Sequence, residues 1–109
     1  MLTSVDIIRA ALVEVLNAST RPPALLPLAR IKYPSRELRP QLLMDGGYQV
    51  TLPFVGWEYK RRGPRPPRPE VDTDAVREAF NATLPGGIIV HAVTDCPTHI
   101  SLIIKEMKL

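Results

Sequence analysis

Proline is the residue that most constrains the fold of this chain. The chain has twelve prolines, about twice the usual share of ~5%, and most of them lie at residues 22–27, 34–40 and 64–69. Because proline lacks an amide hydrogen and its ring fixes φ, it interrupts helices and is excluded from central strands. These three stretches are therefore predicted to be connections, with helices and strands between them. A length of 109 residues fits one domain spanning residues 1–109.

Helical periodicity predicts two helices, at residues 4–18 and 73–84. The first begins at Ser4 and carries a stripe of apolar residues over about four turns. The second follows a cluster of acidic residues that suits a helix N-terminus, and places Val76 and Phe80 on one face. Each helix therefore has one apolar side to bury.

A two-residue alternation of apolar and polar residues predicts strands at Tyr48 to Phe54, Ile88 to Val93 and Ile100 to Met107. Asp45-Gly46-Gly47 is a strong turn signal before the first of them. The segment Leu25 to Tyr33, interrupted by Pro27, is predicted to be an edge strand or an irregular approach to one. The fold class is therefore predicted to be α+β, with a mostly antiparallel sheet of four to five strands and two helices packed on one face. The residues predicted to be buried together are Ile8, Leu12, Leu52, Phe54, Val76, Phe80, Val90 and Leu102.

His91, Asp95, Cys96 and His99 lie within nine residues and are the only candidates for metal binding or catalysis. Zinc sites usually need four nitrogen or sulfur ligands, and this stretch offers one thiol. Nucleophilic catalysis by Cys96 would need an oriented base inside a pocket, which a hairpin connection does not supply. The glycine pairs lack the spacing of phosphate-binding loops. We therefore expect no metal, no cofactor, no small-molecule substrate and no enzymatic activity.

A basic, proline-rich loop at residues 60–69 stands out from the rest of the chain. It holds five of the fourteen basic residues, and the other nine are outnumbered by eleven acidic residues. Arginine suits contacts with phosphates and carboxylates, and prolines keep the loop extended. The loop could bind nucleic-acid phosphates, bind an acidic patch on a protein, or act only as a solvated connection. The candidate contact residues are Lys60, Arg61, Arg62, Arg65 and Arg68.

Three apolar residues are predicted to face away from the core and to contact neighbouring subunits. Val13 lies among the polar residues of the first helix, where a tolerated surface valine is the favoured alternative to a partner contact. Ile89 and Val93 alternate with Ile88 and Val90 in the first strand of the C-terminal hairpin. A sheet that is apolar on both faces exceeds what one layer of helices can cover, and this favours oligomer formation.

The two ends of the chain carry a family resemblance. The amphipathic helix Val5-Asp6-Ile7-Ile8-Arg9-Ala10-Ala11-Leu12 precedes strands, a long loop and a second helix, and the C-terminal hairpin contains Leu102-Ile103-Ile104-Lys105-Glu106-Met107. This order resembles the small tail-terminator and tail-completion proteins of the neck of long-tailed bacteriophages, although the basic proline-rich loop departs from that group. The resemblance implies a structural protein of the virion, assembled in the host cytoplasm. It also implies a homo-oligomeric ring, neighbouring structural proteins as partners, and non-specific contact with DNA.

The alternative is a cytoplasmic accessory domain that binds nucleic acid, for example RNA, through the basic loop. The two hypotheses differ in oligomeric state and in the salt dependence of nucleic-acid binding. No membrane association is expected, because the longest apolar run, around Ile100 to Ile104, is far shorter than the ~20 residues of a membrane helix. Asp6 and Arg9 interrupt the segment where a signal peptide would be apolar. The single cysteine, Cys96, favours a reducing compartment.

Overall fold

The computed structural model describes residues 4–33, 36, 38–57, 64 and 66–106. Its elements in chain order are helix α1 (Ser4–Asn17), a 3-10 turn (Pro23–Leu25), strands β1 (Gln41–Leu42) and β2 (Tyr48–Pro53), helix α2 (Thr73–Thr83), and strands β3 (Ile88–Asp95) and β4 (His99–Glu106). Both predicted helices are confirmed to within one residue at each end. The three predicted strands are also confirmed, except that Met107 lies outside the described residues.

The four strands form one antiparallel sheet in the order β1-β2-β4-β3. The C-terminal strand β4 is central, because it pairs with β2 on one side and with β3 on the other. The fold is therefore α+β, as predicted. The two-residue strand β1 is the additional element, and it forms a hairpin with β2 through the pairs Gln41–Gln49 and Leu42–Tyr48.

One face of the sheet, here called the inner face, carries the core. Alternate residues of the central strands are buried there, and the pairs Val50–Leu102 and Leu52–Ile100 lie side by side. The apolar sides of α1 and α2 pack into the same cluster, so both helices cover this face. All eight residues predicted to form the core are at most 1% exposed, and that prediction is confirmed.

Two of the three predicted subunit-contact residues pack partly against the core. A β-bulge lies between Val90 and Ala92, and beyond it Val93 pairs with Leu102 on the inner face. One extra residue on a bulged strand moves every later side chain to the opposite face. Val93 and Val13 are both half-buried against the core cluster. The prediction that they face away from the core is therefore wrong, whereas their contact with neighbouring subunits stays a prediction.

The opposite, outer face of the sheet is mixed rather than apolar. Ile89 lies there as predicted, opposite Lys105, and is half-buried. On the central strands this face carries polar residues, and Gln49 Nε2 donates a hydrogen bond to Ser101 Oγ at 3.0 Å. The expected apolar outer face is therefore limited to β3 and Ile103 and does not extend across β2. Among the described helices, neither is long and apolar enough to cross a membrane.

The segment after α1 approaches the sheet without forming a strand. Leu28 makes a single antiparallel bridge to Phe54, and Ala29 N donates to Pro53 O at 3.0 Å. Val55 N donates to Pro27 O at 2.9 Å. Of the two predictions for this segment, the irregular approach is the correct one. These contacts hold the end of β2 in place, shortly before the basic, proline-rich loop at residues 60–69.

Candidate interaction surfaces

The hairpin between β1 and β2 projects apolar side chains into solvent. Leu42 is 69% exposed and Met44 is fully exposed; together they are called the apolar tip. The turn beneath them is fixed by its own hydrogen bonds, since Leu43 N donates to Gly47 O at 2.7 Å and Gly47 N donates to Asp45 Oδ1 at 3.0 Å. The predicted turn is confirmed, and its side chains are held outward by a rigid base.

The other large apolar side chains that are exposed on the described surface lie on α1, in the segment after it and just past β2. Each is roughly half exposed, and the set is Ile7, Leu26, Tyr33 and Val55. Scattered exposed apolar residues are normal on a small domain. The apolar tip differs from them because two large side chains project from one short hairpin.

An open groove of about 340 Å³ lies between the C-terminal ends of α1 and α2. Its lining is mostly apolar, with a carboxylate and two hydroxyls, and comprises Ala11, Glu14, Val15, Ala18, Thr20, Pro22, Thr83 and Pro85. The α1 side of the groove is held by Asn17, whose Nδ2 donates to Ile31 O at 2.8 Å. Ile31 N donates back to Asn17 Oδ1 at 2.8 Å. These bonds tie the C-terminal end of α1 to the segment that follows it.

Two arginines, Arg21 and Arg30, lie near the C-terminal end of α1 without lining the groove themselves. Arg30 Nη1 donates to the main-chain oxygens of Asn17 at 2.9 Å and Ala18 at 3.1 Å, which suits the negative end of the helix dipole. Arg21 Nη1 donates to Leu28 O at 2.6 Å. Burial lowers the pKa of Arg21, and the positive charge of Arg30 lowers it further. Arg30 thus places a positive charge beside Ala18, which lines the groove.

Arg68 holds the C-terminal end of the basic, proline-rich loop (called the proline-rich segment below) against the β3–β4 hairpin. The Arg68 guanidinium bonds to the Asp95 carboxylate and donates to the main-chain oxygens of Cys96 at 2.9 Å and Pro97 at 3.1 Å. Its Cζ also lies 4.8 Å from the centre of the Phe54 ring, a cation–π contact. One side chain therefore joins the segment, the hairpin connection and the core.

Pro66 adds a second contact that holds the segment in place. Gly56 has a φ of +85°, and a Cβ at this position would lie 2.5 Å from Pro66 Cγ. Only glycine satisfies both the left-handed backbone and the close approach. The chain leaving β2 and the proline-rich segment are thus packed directly against each other.

The basic residues predicted to bind a partner are only partly located. Lys60, Arg61, Arg62 and Arg65 lie outside the described residues. Arg68 is described, and its guanidinium is occupied by groups of its own chain. Partner contact by these five residues stays a prediction, and Arg68 has an additional structural role.

The candidate metal ligands of the C-terminal hairpin have other contacts. Asp95 bonds to Arg68, and His99 Nδ1 lies 3.0 Å from Thr98 Oγ1. Cys96 Sγ lies 3.9 Å from Thr94 O. Within the described ranges, no three histidine, cysteine or acidic residues come together in a way that could hold a metal ion.

A second, polar cleft of about 490 Å³ lies beside the β1–β2 turn, near the start of α1. Its charged groups are engaged with neighbours, since Ser4 Oγ donates to Glu106 Oε2 at 3.1 Å and Lys105 Nζ lies 3.9 Å from Asp45 Oδ2. This cleft joins the start of α1 to the base of the apolar tip.

The chain matches no protein-family model, and no curated protein or solved structure is significantly similar to it.

Proposed function

We propose that this protein is a structural assembly protein that forms a ring or docks on one, of the kind found in the tail and neck of bacteriophages. The observation that supports this most is the apolar tip, where Leu42 and Met44 project from a rigid hairpin on a small α+β domain. Exposed apolar side chains that are grouped together mark protein–protein contact sites. The phage family is proposed from the sequence resemblance alone, whereas the assembly function is also supported by the exposed tip.

The charge distribution is compatible with assembly. The described residues carry equal numbers of acidic and basic side chains, so the formal net charge of +3 arises from residues outside them, chiefly 60–65. A single exposed ion pair contributes about 0–1 kcal/mol. The basic loop would therefore influence binding only where several of its charges act together across a repeated interface.

The nucleic-acid hypothesis is the second candidate, and the same basic loop supports it. Four of its five basic residues lie within 60–65, so their positive charges are close together in sequence and could contact phosphates jointly. Binding of that kind depends steeply on salt and weakly on sequence. The oligomeric state, together with the salt dependence of nucleic-acid binding, therefore separates the two functions.

The experiment is charge reversal in the basic loop, with Arg61, Arg62 and Arg65 all changed to Glu. The control reverses Arg36, Arg39 and Arg77, which makes the same change in net charge elsewhere on the surface. Light scattering after size exclusion measures assembly at two salt concentrations, and fluorescence anisotropy with a short DNA duplex and a short RNA measures nucleic-acid binding.

We expect the loop variant to keep the thermal stability of the parent and to assemble more weakly, while the control assembles normally. A parent that stays monomeric and binds DNA or RNA with a steep salt dependence would establish the second function instead. A monomeric parent that binds neither, together with a loop variant indistinguishable from it, would show that the loop is only a solvated connection.

A further inference from the structure

We infer that the apolar tip of one copy inserts into the groove between the helix ends of the next copy, so that the protein self-associates head to tail. This inference rests on the proposed assembly function and names the two surfaces that meet. The occupant of the groove is thus a second copy of this chain, recognised through Leu42 and Met44.

The size and chemistry of the two surfaces match. A groove of about 340 Å³ is at the lower end of the ~300–1,000 Å³ range of ligand pockets and suits a few side chains rather than a whole helix. Its walls include Val15, Ala18 and Pro22. Met44 is unbranched and flexible, and methionine adapts to irregular apolar gaps.

The charges beside the two surfaces are also complementary. The tip carries Asp45 next to Met44, with Lys105 Nζ 3.9 Å from Asp45 Oδ2. The groove has Arg30 at its α1 end, bonded to Ala18 O, and Glu14 in its lining. Asp45 of the incoming copy would lie toward Arg30, and Lys105 toward Glu14.

The tip and the groove of one copy cannot reach each other. The base of the tip lies beside Ser4 at the start of α1, whereas Val15 and Ala18 place the groove at the other end of the helix. A helix of 14 residues is roughly 20 Å long at ~1.5 Å per residue. The two surfaces are therefore free at the same time, and a contact between different surfaces produces either a closed ring or an open filament.

Pairing of sheets between copies through β3 is a less favourable alternative. The Asn81 side chain occupies both main-chain polar groups of Val90 on that strand. A neighbouring strand would have to displace it to extend the sheet. The edge of β3 is thus partly blocked at Val90, whereas the side chains of the apolar tip are exposed.

A single insertion of the tip would bury much less than the ~800 Å² per partner of a standard stable interface. One contact alone is therefore weak, and association should depend on concentration. Ring closure would use both surfaces of every copy and stabilise the assembly. The protein is accordingly expected to be monomeric when dilute and to assemble when concentrated.

The test combines two variants that each lose one surface. Met44→Glu removes the tip and keeps the groove, while Ala18→Trp fills the groove and keeps the tip. Glu14→Lys is a second groove variant, because Glu14 is exposed and the change should not disturb folding. Val55→Glu is the matched control, since it places the same charge on an exposed apolar residue at the opposite end of β2. Thermal melting verifies the fold of each, and analytical ultracentrifugation measures association.

We expect Met44→Glu and Ala18→Trp each to weaken self-association by roughly tenfold or more, which is the loss expected when an apolar side chain no longer becomes buried. Mixing them should give a dimer of about twice 12.1 kDa that grows no further, because only one intact tip–groove pair remains. Glu14→Lys should weaken association less, and Val55→Glu should not.

Parent protein that associates while the tip and groove variants associate equally well would overturn this inference and leave the assembly function standing. A mixture that shows no dimer would likewise exclude a head-to-tail contact through these surfaces. Parent protein that remains monomeric at every concentration would exclude both the inference and self-assembly.

Discussion

The side-chain amide of Asn81 in α2 holds both main-chain polar groups of Val90 in β3. Val90 N donates to Asn81 Oδ1 at 2.8 Å, and Asn81 Nδ2 donates to Val90 O at 3.1 Å. This pair of hydrogen bonds joins helix to sheet and satisfies the main-chain groups of Val90 that β4 does not pair on the edge strand β3. Edge strands with unpaired main-chain groups promote aggregation, so Asn81 contributes both stability and protection.

Replacing Asn81 by Ala should lower the free energy of unfolding by about 1–3 kcal/mol, because two main-chain groups lose their partner. Denaturant unfolding measures the loss. Glu78→Ala, on the exposed side of the same helix, is the control and should change stability by less than ~0.5 kcal/mol. An Asn81→Ala variant as stable as that control would mean that water replaces the amide at no cost.

Arg68 should stabilise the fold through its shape as well as its charge. Arg68→Ala is expected to cost about 1–3 kcal/mol, since hydrogen bonds to the hairpin connection are lost. Arg68→Lys should recover only part of this, because one ammonium cannot reach Asp95 and two main-chain oxygens together. The control Arg77→Ala breaks a surface ion pair of 3.7 Å with Asp74 and should cost about 0–1 kcal/mol. Full recovery by lysine would show that charge alone matters.

Alanine substitutions at three glycines can distinguish the cost of backbone strain from the cost of a steric clash. Gly86 has open space around it, Gly46 has a φ of +88° in open space, and Gly56 combines a φ of +85° with the contact to Pro66. Alanine should be nearly neutral at 86, cost about 1–2 kcal/mol at 46, and cost more than that at 56. Thermal melts of the three variants give the order. Equal losses at 46 and 56 would mean that the proline-rich segment does not pack where the structure places it.

The core prediction concerns the helices that cover the inner face. Leu12→Ala and Phe80→Ala should each cost roughly 2–5 kcal/mol, because both side chains are fully buried. Met44→Ala, at the apolar tip, should cost less than ~0.5 kcal/mol. Unfolding curves for the three variants provide the comparison, and a small loss at Leu12 or Phe80 would remove that residue from the core.

Periodicity predicted the helices, the main strands and the core because residues such as Leu12, Phe80 and Leu52 repeat at the spacing of their own element. It failed at Val93, since one bulge residue in β3 reverses the alternation and no local signal marks it. Val13 was misplaced because the polar residues beside it in sequence do not show how far core side chains extend over the surface of the helix.

The candidate surfaces were harder to predict than the core. Leu42 and Met44 lie beside a turn that the sequence predicts. Their exposure, however, depends on the pairing of β1 with β2 and on the fact that no described helix or strand covers them. The Arg68–Asp95 contact joins residues 27 apart in sequence. Contacts of that kind arise from tertiary structure, so the sequence predicted a free basic residue where the structure has a bonded one.

We propose above all that the chain assembles with copies of itself. Sedimentation equilibrium of the parent protein over a wide concentration range tests this most directly. We predict an average mass that rises from 12.1 kDa to a multiple of it as concentration increases, with a lower plateau at high salt. A mass that fits a single monomer at every concentration and salt would contradict the account.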